Sequence, residues 1–181
     1  LFNMNLSAKN TIKKIHALDS VLCVKMNQTS QNKLVKRFFK IISRLGDGVF
    51  WYTLMIIILL ADPIYGIDTV IHMGVFGGIG TLIYKIIKKY VSRPRPFQIN
   101  DNIYDQEKIL DCFSFPSGHT LHAVIFTLIA SIYYPFLFPF LMAITILIAF
   151  SRVILGLHYP TDVIVAALIG FIIVKFSIFV I

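Results

Sequence analysis

The stretch PSGHTLHAVIFTLIASIYYPFLFPFLMAITILIAFSR, residues 116–152, decides the fold. It holds two apolar runs separated by Pro135 and Pro139, with polar residues at both outer ends. At a rise of about 1.5 Å per residue, each run forms a helix of about 25 Å, close to the thickness of the hydrocarbon core of a bilayer. The stretch therefore predicts a helical hairpin that leaves one membrane face and returns to it, so that Ser117 and Arg152 meet.

Apolar runs on either side of the hairpin predict further membrane helices. They occupy residues 67–87 and 160–181, and a shorter run occupies residues 49–61. Residues 34–45 place apolar and basic side chains at helical spacing, which is typical of an interfacial amphipathic helix. We expect an all-α, integral-membrane bundle of about five transmembrane helices, preceded by this interfacial helix.

The composition agrees with a membrane protein. Hydrophobic residues make up 57% of the 181 residues and charged residues 14%, a more apolar balance than that of soluble domains. The net charge of +8 comes from short basic clusters beside apolar runs, where head groups attract cations, so the expected partner is the bilayer and not nucleic acid. Cys23 and Cys112 have no spacing typical of a metal site or a disulfide framework. We expect one membrane domain at residues 32–181 and a polar N-terminal tail at residues 1–31.

Glycines recur along the predicted helix at residues 67–87, at positions 74, 77, 78 and 80. They form no nucleotide-binding motif, because neither a P-loop nor a dinucleotide-binding pattern follows a strand. The spacing of Gly74 and Gly78 predicts a close helix–helix contact in lipid.

The predicted topology brings three polar clusters to one membrane face. Ionisable groups at membrane depth are costly and usually mark a site, so cations and histidines around a shared pocket favour an anionic ligand such as phosphate. Lysine offers a point charge, and arginine offers a planar fork that binds phosphate oxygens in pairs. The candidate residues are Lys88 and Arg95; Ser117, Gly118 and His119; and Arg152, His158 and Asp162.

Two of these clusters suggest separate chemical roles. Ser117 is a suitable helix N-cap, and Gly118 allows backbone N–H groups to approach an oxyanion at a helix start, which predicts a phosphate cradle. His158 and Asp162 are four residues apart, so the carboxylate can accept an imidazole N–H and make His158 a candidate nucleophile. His119 is then available as general acid for the leaving oxygen.

The motifs K-x6-R-P (Lys88 to Pro96), P-S-G-H (residues 116–119) and S-R-x5-H-x3-D (residues 151–162) resemble the type 2 phosphatidic acid phosphatases, the PAP2 superfamily. The resemblance covers roughly residues 46–181. It implies a phosphatase that needs neither metal nor cofactor, in which His158 forms a phosphohistidine, Asp162 orients it and His119 protonates the leaving group. By the same resemblance, the phosphoryl oxygens are held by Lys88, Arg95, Ser117, Gly118 and Arg152.

A site at head-group depth favours a phosphorylated lipid as substrate. Undecaprenyl diphosphate, phosphatidylglycerophosphate, phosphatidic acid and a lipid A phosphate all meet this condition, and family analogy favours undecaprenyl diphosphate slightly. A lipid phosphotransferase that uses the same phosphohistidine is one alternative. A non-enzymatic scaffold for anionic lipids is another, although such a protein has no need for His158 beside Asp162.

The resemblance also implies a location, the bacterial inner membrane with the site facing the periplasm or outer side. The positive-inside rule points the other way, because the basic N-terminal segment is expected on the same side as the site. Other polar residues are interpreted as structural: His16, His72 and His122 as hydrogen-bonded groups, and the acidic loop at residues 101–111 as solvated.

Overall fold

The computed structural model describes residues 6–103 and 112–180, with the side chains of residues 6–9 left out. Apart from one isolated bridge between Pro94 and Phe113, every regular element in these ranges is helical. The expected all-α class is confirmed. The helices are α1 (Leu6–Gln28), α2 (Lys33–Leu45), α3 (Val49–Ala61), α4 (Gly66–Val91), α5 (Pro96–Ile99), α6 (Gly118–Tyr133), α7 (Phe138–Ile154) and α8 (Pro160–Val180).

Three segments of the described chain are long and apolar enough to cross a membrane: α4, Pro135–Ile154 (a 3-10 turn followed by α7) and α8. Helices α2 and α3 qualify together as a fourth, bent by 52° where they join. Helix α6 is apolar but has only 16 residues. The expected number of about five is reached only when the bent pair and α6 are both counted.

Helix α6 lies at the centre of the bundle and packs against α4, α7 and α8. It begins after Ser117 and ends before Pro135, whose missing N–H prevents continuation of the helix. Helix α7 then returns antiparallel, so the predicted hairpin is present. The fully buried side chains of this core include Leu121, Ile125, Ile129, Leu141 and Ile148.

The glycine contact of α4 differs from the one predicted. A Cβ added at Gly74 or Gly78 would meet no atom within 4 Å, so the prediction that this pair packs against another helix is wrong. The contact with α6 is made by Gly77 and Gly80, whose added Cβ atoms would lie 2.7 Å from the Phe126 ring and 2.6 Å from the Ile125 Cδ1 atom. Helical geometry explains the difference, because residues three apart share a face just as residues four apart do.

Helix α1 occupies most of the segment expected to be a polar tail. It packs against α7 and α8, and the Asn27 side chain donates a hydrogen bond of 3.0 Å to the Ile154 carbonyl. Cys23 is fully buried, and its Sγ atom lies 3.8 Å from the His158 carbonyl oxygen. Because the inward face of α1 carries polar side chains, hydrophobic periodicity does not reveal that the helix is packed.

Helix α2 forms where the amphipathic pattern predicts a helix. It begins at Lys33, where the Asn32 side chain accepts a 2.9 Å hydrogen bond from the Leu34 N–H. Helix α2 packs against α7, while apolar side chains such as Phe38 and Ile41 remain exposed on its outer face. This outer face suits contact with lipid.

Candidate active site

The three polar clusters lie together at one end of the bundle. Helices α4 and α7 end there, α6 and α8 begin there, and the segment after α4 joins them. The Ser117 N–H donates a 3.2 Å hydrogen bond to the Asp162 carbonyl, which joins the second cluster to the third. Arg95 joins the first cluster to the third, since its Nη1 atom lies 3.5 Å from His158 Nε2. The convergence expected from the hairpin is therefore present in the structure.

The loop between α7 and α8 holds His158 in place. The Arg152 carbonyl accepts hydrogen bonds from the N–H groups of Leu157 (3.0 Å) and His158 (3.1 Å). Gly156 turns the chain with a φ of 71°, a conformation that glycine adopts without a steric penalty. The imidazole of His158 is consequently fixed inside the protein, with only 1% of the residue exposed.

The ring nitrogens of His158 have different surroundings. Nδ1 lies 3.7 Å from Asp162 Oδ2, beyond hydrogen-bond length, and forms no hydrogen bond with the described residues. Nε2 faces the Arg95 guanidinium, which can only donate, so Nε2 carries a lone pair and Nδ1 carries the proton. A shift of less than about 1 Å would close the Nδ1–H bond to Asp162, and such tightening is common when a ligand binds.

Burial controls the protonation state of His158, which lies outside the membrane-spanning helices. Burial lowers the pKa of His158 to about 3, and the positive charges of Arg152 and Arg95 act in the same direction. The Asp162 carboxylate opposes this shift without reversing it. The imidazole is therefore neutral at physiological pH, the form in which it can act as a nucleophile.

Two buried arginines lie beside this histidine. Arg95 donates a 2.9 Å hydrogen bond to the Leu157 carbonyl, and Arg152 donates a short hydrogen bond to Ser43 of α2. The Lys88 ammonium lies 5.4 Å from the centroid of the Tyr84 ring. So much positive charge at one depth favours an anionic ligand.

The start of α6 adds backbone donors to these cations. Ser117 is fully buried and caps the helix, its Oγ atom accepting a 3.4 Å hydrogen bond from the Thr120 N–H. Gly118 opens the first turn beside the Tyr84 ring. A helix start favours negative charge because its first N–H groups have no partner within the helix.

His119 also lies in the first turn of α6. Its side chain is held by a residue outside α6. Its Nε2 atom lies 2.6 Å from Asp47 Oδ1, in the three-residue break between α2 and α3. Gly46 makes this approach possible, because a Cβ there would lie 2.8 Å from His119 Cδ2. The described residues provide no hydrogen-bond partner for the other ring nitrogen, Nδ1.

The model of the PAP2 superfamily matches residues 69–180 of the chain. The chain belongs to the PAP2 superfamily. All three motifs and the eight candidate site residues fall within the part of the chain that the PAP2 model covers.

Two solved structures of PAP2-type proteins are similar to this one. The transmembrane PAP2-type phosphatidylglycerolphosphate phosphatase from Bacillus subtilis has 23% sequence identity and a TM-score of 0.73, over 91% of this chain and 84% of that protein. LpxE from Aquifex aeolicus has 25% identity and a TM-score of 0.74, over 87% of this chain and 92% of LpxE. The chain thus has the fold of a PAP2 membrane phosphatase.

Two residues outside the three motifs also contact the candidate site residues. Arg93 donates a 2.6 Å hydrogen bond to Asp162 Oδ1, and Asp162 Oδ2 accepts a further one of 2.9 Å from the Tyr159 N–H. Asp47 is the second, through its contact with His119. Arg93 stands among other basic residues at the end of α4, and Asp47 stands alone in a turn, so neither carried a distinguishing local signal.

The histidines interpreted as structural do have hydrogen-bond partners. His72 lies 2.8 Å from Ser177 Oγ and 3.1 Å from the Tyr133 hydroxyl, far from the PAP2 motifs along α4. His122 lies 2.8 Å from the Gly118 carbonyl and 2.9 Å from Thr81 Oγ1, and so links α6 to α4. Most of the acidic loop, residues 104–111, lies outside the described residues.

Proposed function

We propose that this protein is a membrane lipid phosphatase that hydrolyses a phosphomonoester or diphosphate lipid through a phosphohistidine at His158. The observation that carries the proposal is the buried, neutral imidazole of His158, which has a carboxylate on its Nδ1 side and a guanidinium on its Nε2 side. This arrangement activates a nucleophile toward an anionic phosphorus centre.

The first step transfers the phosphoryl group to the enzyme. His158 Nε2 attacks phosphorus and the bond between phosphorus and the lipid oxygen breaks. His119, doubly protonated with its Nε2–H bonded to Asp47, gives its Nδ1 proton to the departing oxygen. Asp162 accepts the Nδ1–H hydrogen bond and balances the positive charge that develops on the imidazole. Lys88, Arg95 and Arg152, with the Ser117 hydroxyl and the Gly118 N–H, bind the phosphoryl oxygens.

The second step releases phosphate. Water attacks the phosphorus atom of the phosphohistidine, His119 takes a proton from that water, and the N–P bond breaks. Inorganic phosphate leaves, and His158 and His119 return to their starting protonation states. Every proton transfer in this route uses a protein group or water, so we propose a metal-independent reaction without a cofactor.

The proposed substrate is a lipid whose phosphate lies at head-group depth. Undecaprenyl diphosphate, phosphatidylglycerophosphate and phosphatidic acid are the leading candidates, followed by a lipid A phosphate. The similarity to a phosphatidylglycerolphosphate phosphatase and to LpxE supports a lipid phosphate in general. We propose that the protein lies in the bacterial inner membrane with its site facing the periplasm or outer side.

A phosphate-release assay on detergent-solubilised protein tests the proposal. The four lipids are supplied in turn, with a metal chelator present, to the wild type and to His158→Ala. We expect release from at least one lipid by the wild type and a loss of about 1,000-fold or more in the variant, because the nucleophile is absent. Transfer of the phosphate to a second lipid without release would indicate a phosphotransferase. Lipid binding with neither release nor transfer would indicate a scaffold.

A further inference from the structure

A buried carboxylate on α1 lies behind the His158–Asp162 pair. Asp19 is only 2% exposed, and its Oδ2 atom accepts a 2.8 Å hydrogen bond from Arg93 Nη2. Its Oδ1 atom accepts a 3.1 Å hydrogen bond from the Thr161 N–H, and Thr161 Oγ1 donates a short bond to Oδ2. Asp19 thereby binds both Arg93 and the first turn of α8.

Arg93 bridges two carboxylates. Its Nη1 atom donates to Asp162 Oδ1 at 2.6 Å while Nη2 donates to Asp19, and its guanidinium lies 3.9 Å from the centroid of the Tyr159 ring. His16 is a further neighbour, with Nδ1 3.2 Å from Nη2. A continuous series of polar contacts therefore runs from α1 through Arg93 to Asp162.

The charges in this series explain why a second carboxylate is useful. One guanidinium shared by two carboxylates leaves Asp162 with enough negative charge to attract the Nδ1 proton of His158. Without Asp19, the whole charge of Arg93 would act on Asp162 and weaken that attraction. Asp19 also satisfies an N–H at the start of α8, where Asp162 itself is anchored.

We propose that Asp19 is a positioning residue for the reaction at His158, acting through Arg93 and the first turn of α8 to hold Asp162 in place. The proposal rests on the function proposed above. It also gives α1 a role, since α1 brings to the site a carboxylate that belongs to none of the three motifs.

Asp19→Asn tests this role, because asparagine keeps the size of the side chain and removes its charge. We expect kcat to fall by about tenfold and KM to stay within about twofold, since Asp19 is bonded to neither the phosphate cations nor the lipid. Asp62→Asn is the matched control, a carboxylate that accepts a bond from Tyr134 at the opposite end of the bundle. The control should keep wild-type kcat.

A double variant separates positioning from a general loss of stability. If Asp19 acts through Asp162, Asp19→Asn combined with Asp162→Asn should be no slower than Asp162→Asn alone. An equal tenfold loss in both backgrounds would overturn the proposal, as would an unchanged kcat in Asp19→Asn. Asp19→Glu, which restores the charge, should recover part of the activity.

Nitrogen NMR of the histidine rings gives a result that does not depend on turnover. We expect the His158 Nδ1 signal, assigned with a His158→Gln variant, to move in Asp19→Asn in the same direction as in Asp162→Asn. An unmoved signal in folded protein would refute the coupling. If the wild type released no phosphate from any lipid, the proposed function would fail, and this measurement would still decide whether Asp19 acts on His158.

Discussion

At the scale of single residues, the site depends on one imidazole that the protein keeps uncharged. An exposed histidine has a pKa of about 6.5, whereas burial lowers the pKa of His158 to about 3. The unfolded chain therefore binds a proton at His158 in a pH range where the folded protein does not. Protonation in this range favours unfolding.

This difference predicts an acid-dependent loss of stability. The contribution of neutral His158 to the free energy of unfolding is fully present above about pH 6.5. It is lost at about 1 kcal/mol per pH unit as the pH falls toward 3. Thermal unfolding in detergent at a series of pH values measures this loss of stability. His158→Gln should remove this part of the slope, and an identical acid slope in the variant would contradict a neutral, buried His158.

The sequence indicates some of the site residues and hides others for a physical reason. His158 and Asp162 are one helical turn apart, so spacing alone suggests their contact. Asp19 contacts Thr161 across 142 positions, and Asp47 contacts His119 across 72. Such pairs become visible only after the helices are packed, because no local periodicity relates their members.

At the scale of elements, the break between α2 and α3 determines the position of His119. Gly46 packs so tightly that an added Cβ would lie 2.8 Å from His119 Cδ2 and 3.1 Å from the Ser43 carbonyl oxygen. A methyl group at position 46 would therefore push the imidazole away from Asp47. Displacement of a catalytic group by about 1 Å costs up to about 100-fold in rate.

Gly46→Ala tests this dependence on close packing. We expect kcat for phosphate release to fall by at least about tenfold, because the displaced His119 is poorly placed to protonate the leaving oxygen. Gly74→Ala is the matched control, since a Cβ there meets no atom within 4 Å and alanine favours a helix. Wild-type kcat in Gly46→Ala would show that His119 is not constrained by this contact.

The elements differ in how well sequence patterns predict them. Long apolar runs punctuated by proline predict α4, the α6–α7 hairpin and α8, because a bilayer requires apolar helices of a certain length. The sequence pattern predicts a polar tail in place of α1 because the packed face of α1 is polar, with Asp19 and Asn27 directed at α8 and α7. A hydrophobicity pattern does not report a contact made by hydrogen bonds.

At the scale of the whole molecule, the bundle separates a lipid-facing body from a charged end. Exposed apolar side chains cover the outer faces of α4 and α8, while the buried cations lie at the end where α6 and α8 begin. A lipid can thus present its phosphate to the cations while its tail remains in hydrocarbon. This arrangement supports the proposed lipid substrate over a soluble phosphate ester.

Trapping the phosphorylated enzyme tests the central claim most directly. The protein is mixed with a lipid radiolabelled in its phosphate, quenched in alkali within the first turnover, and digested so that the labelled residue is located by mass spectrometry. We predict the label on His158, with none on the His158→Gln variant. Phosphate release by the wild type with no label on His158, or with the label on another residue, would contradict the account.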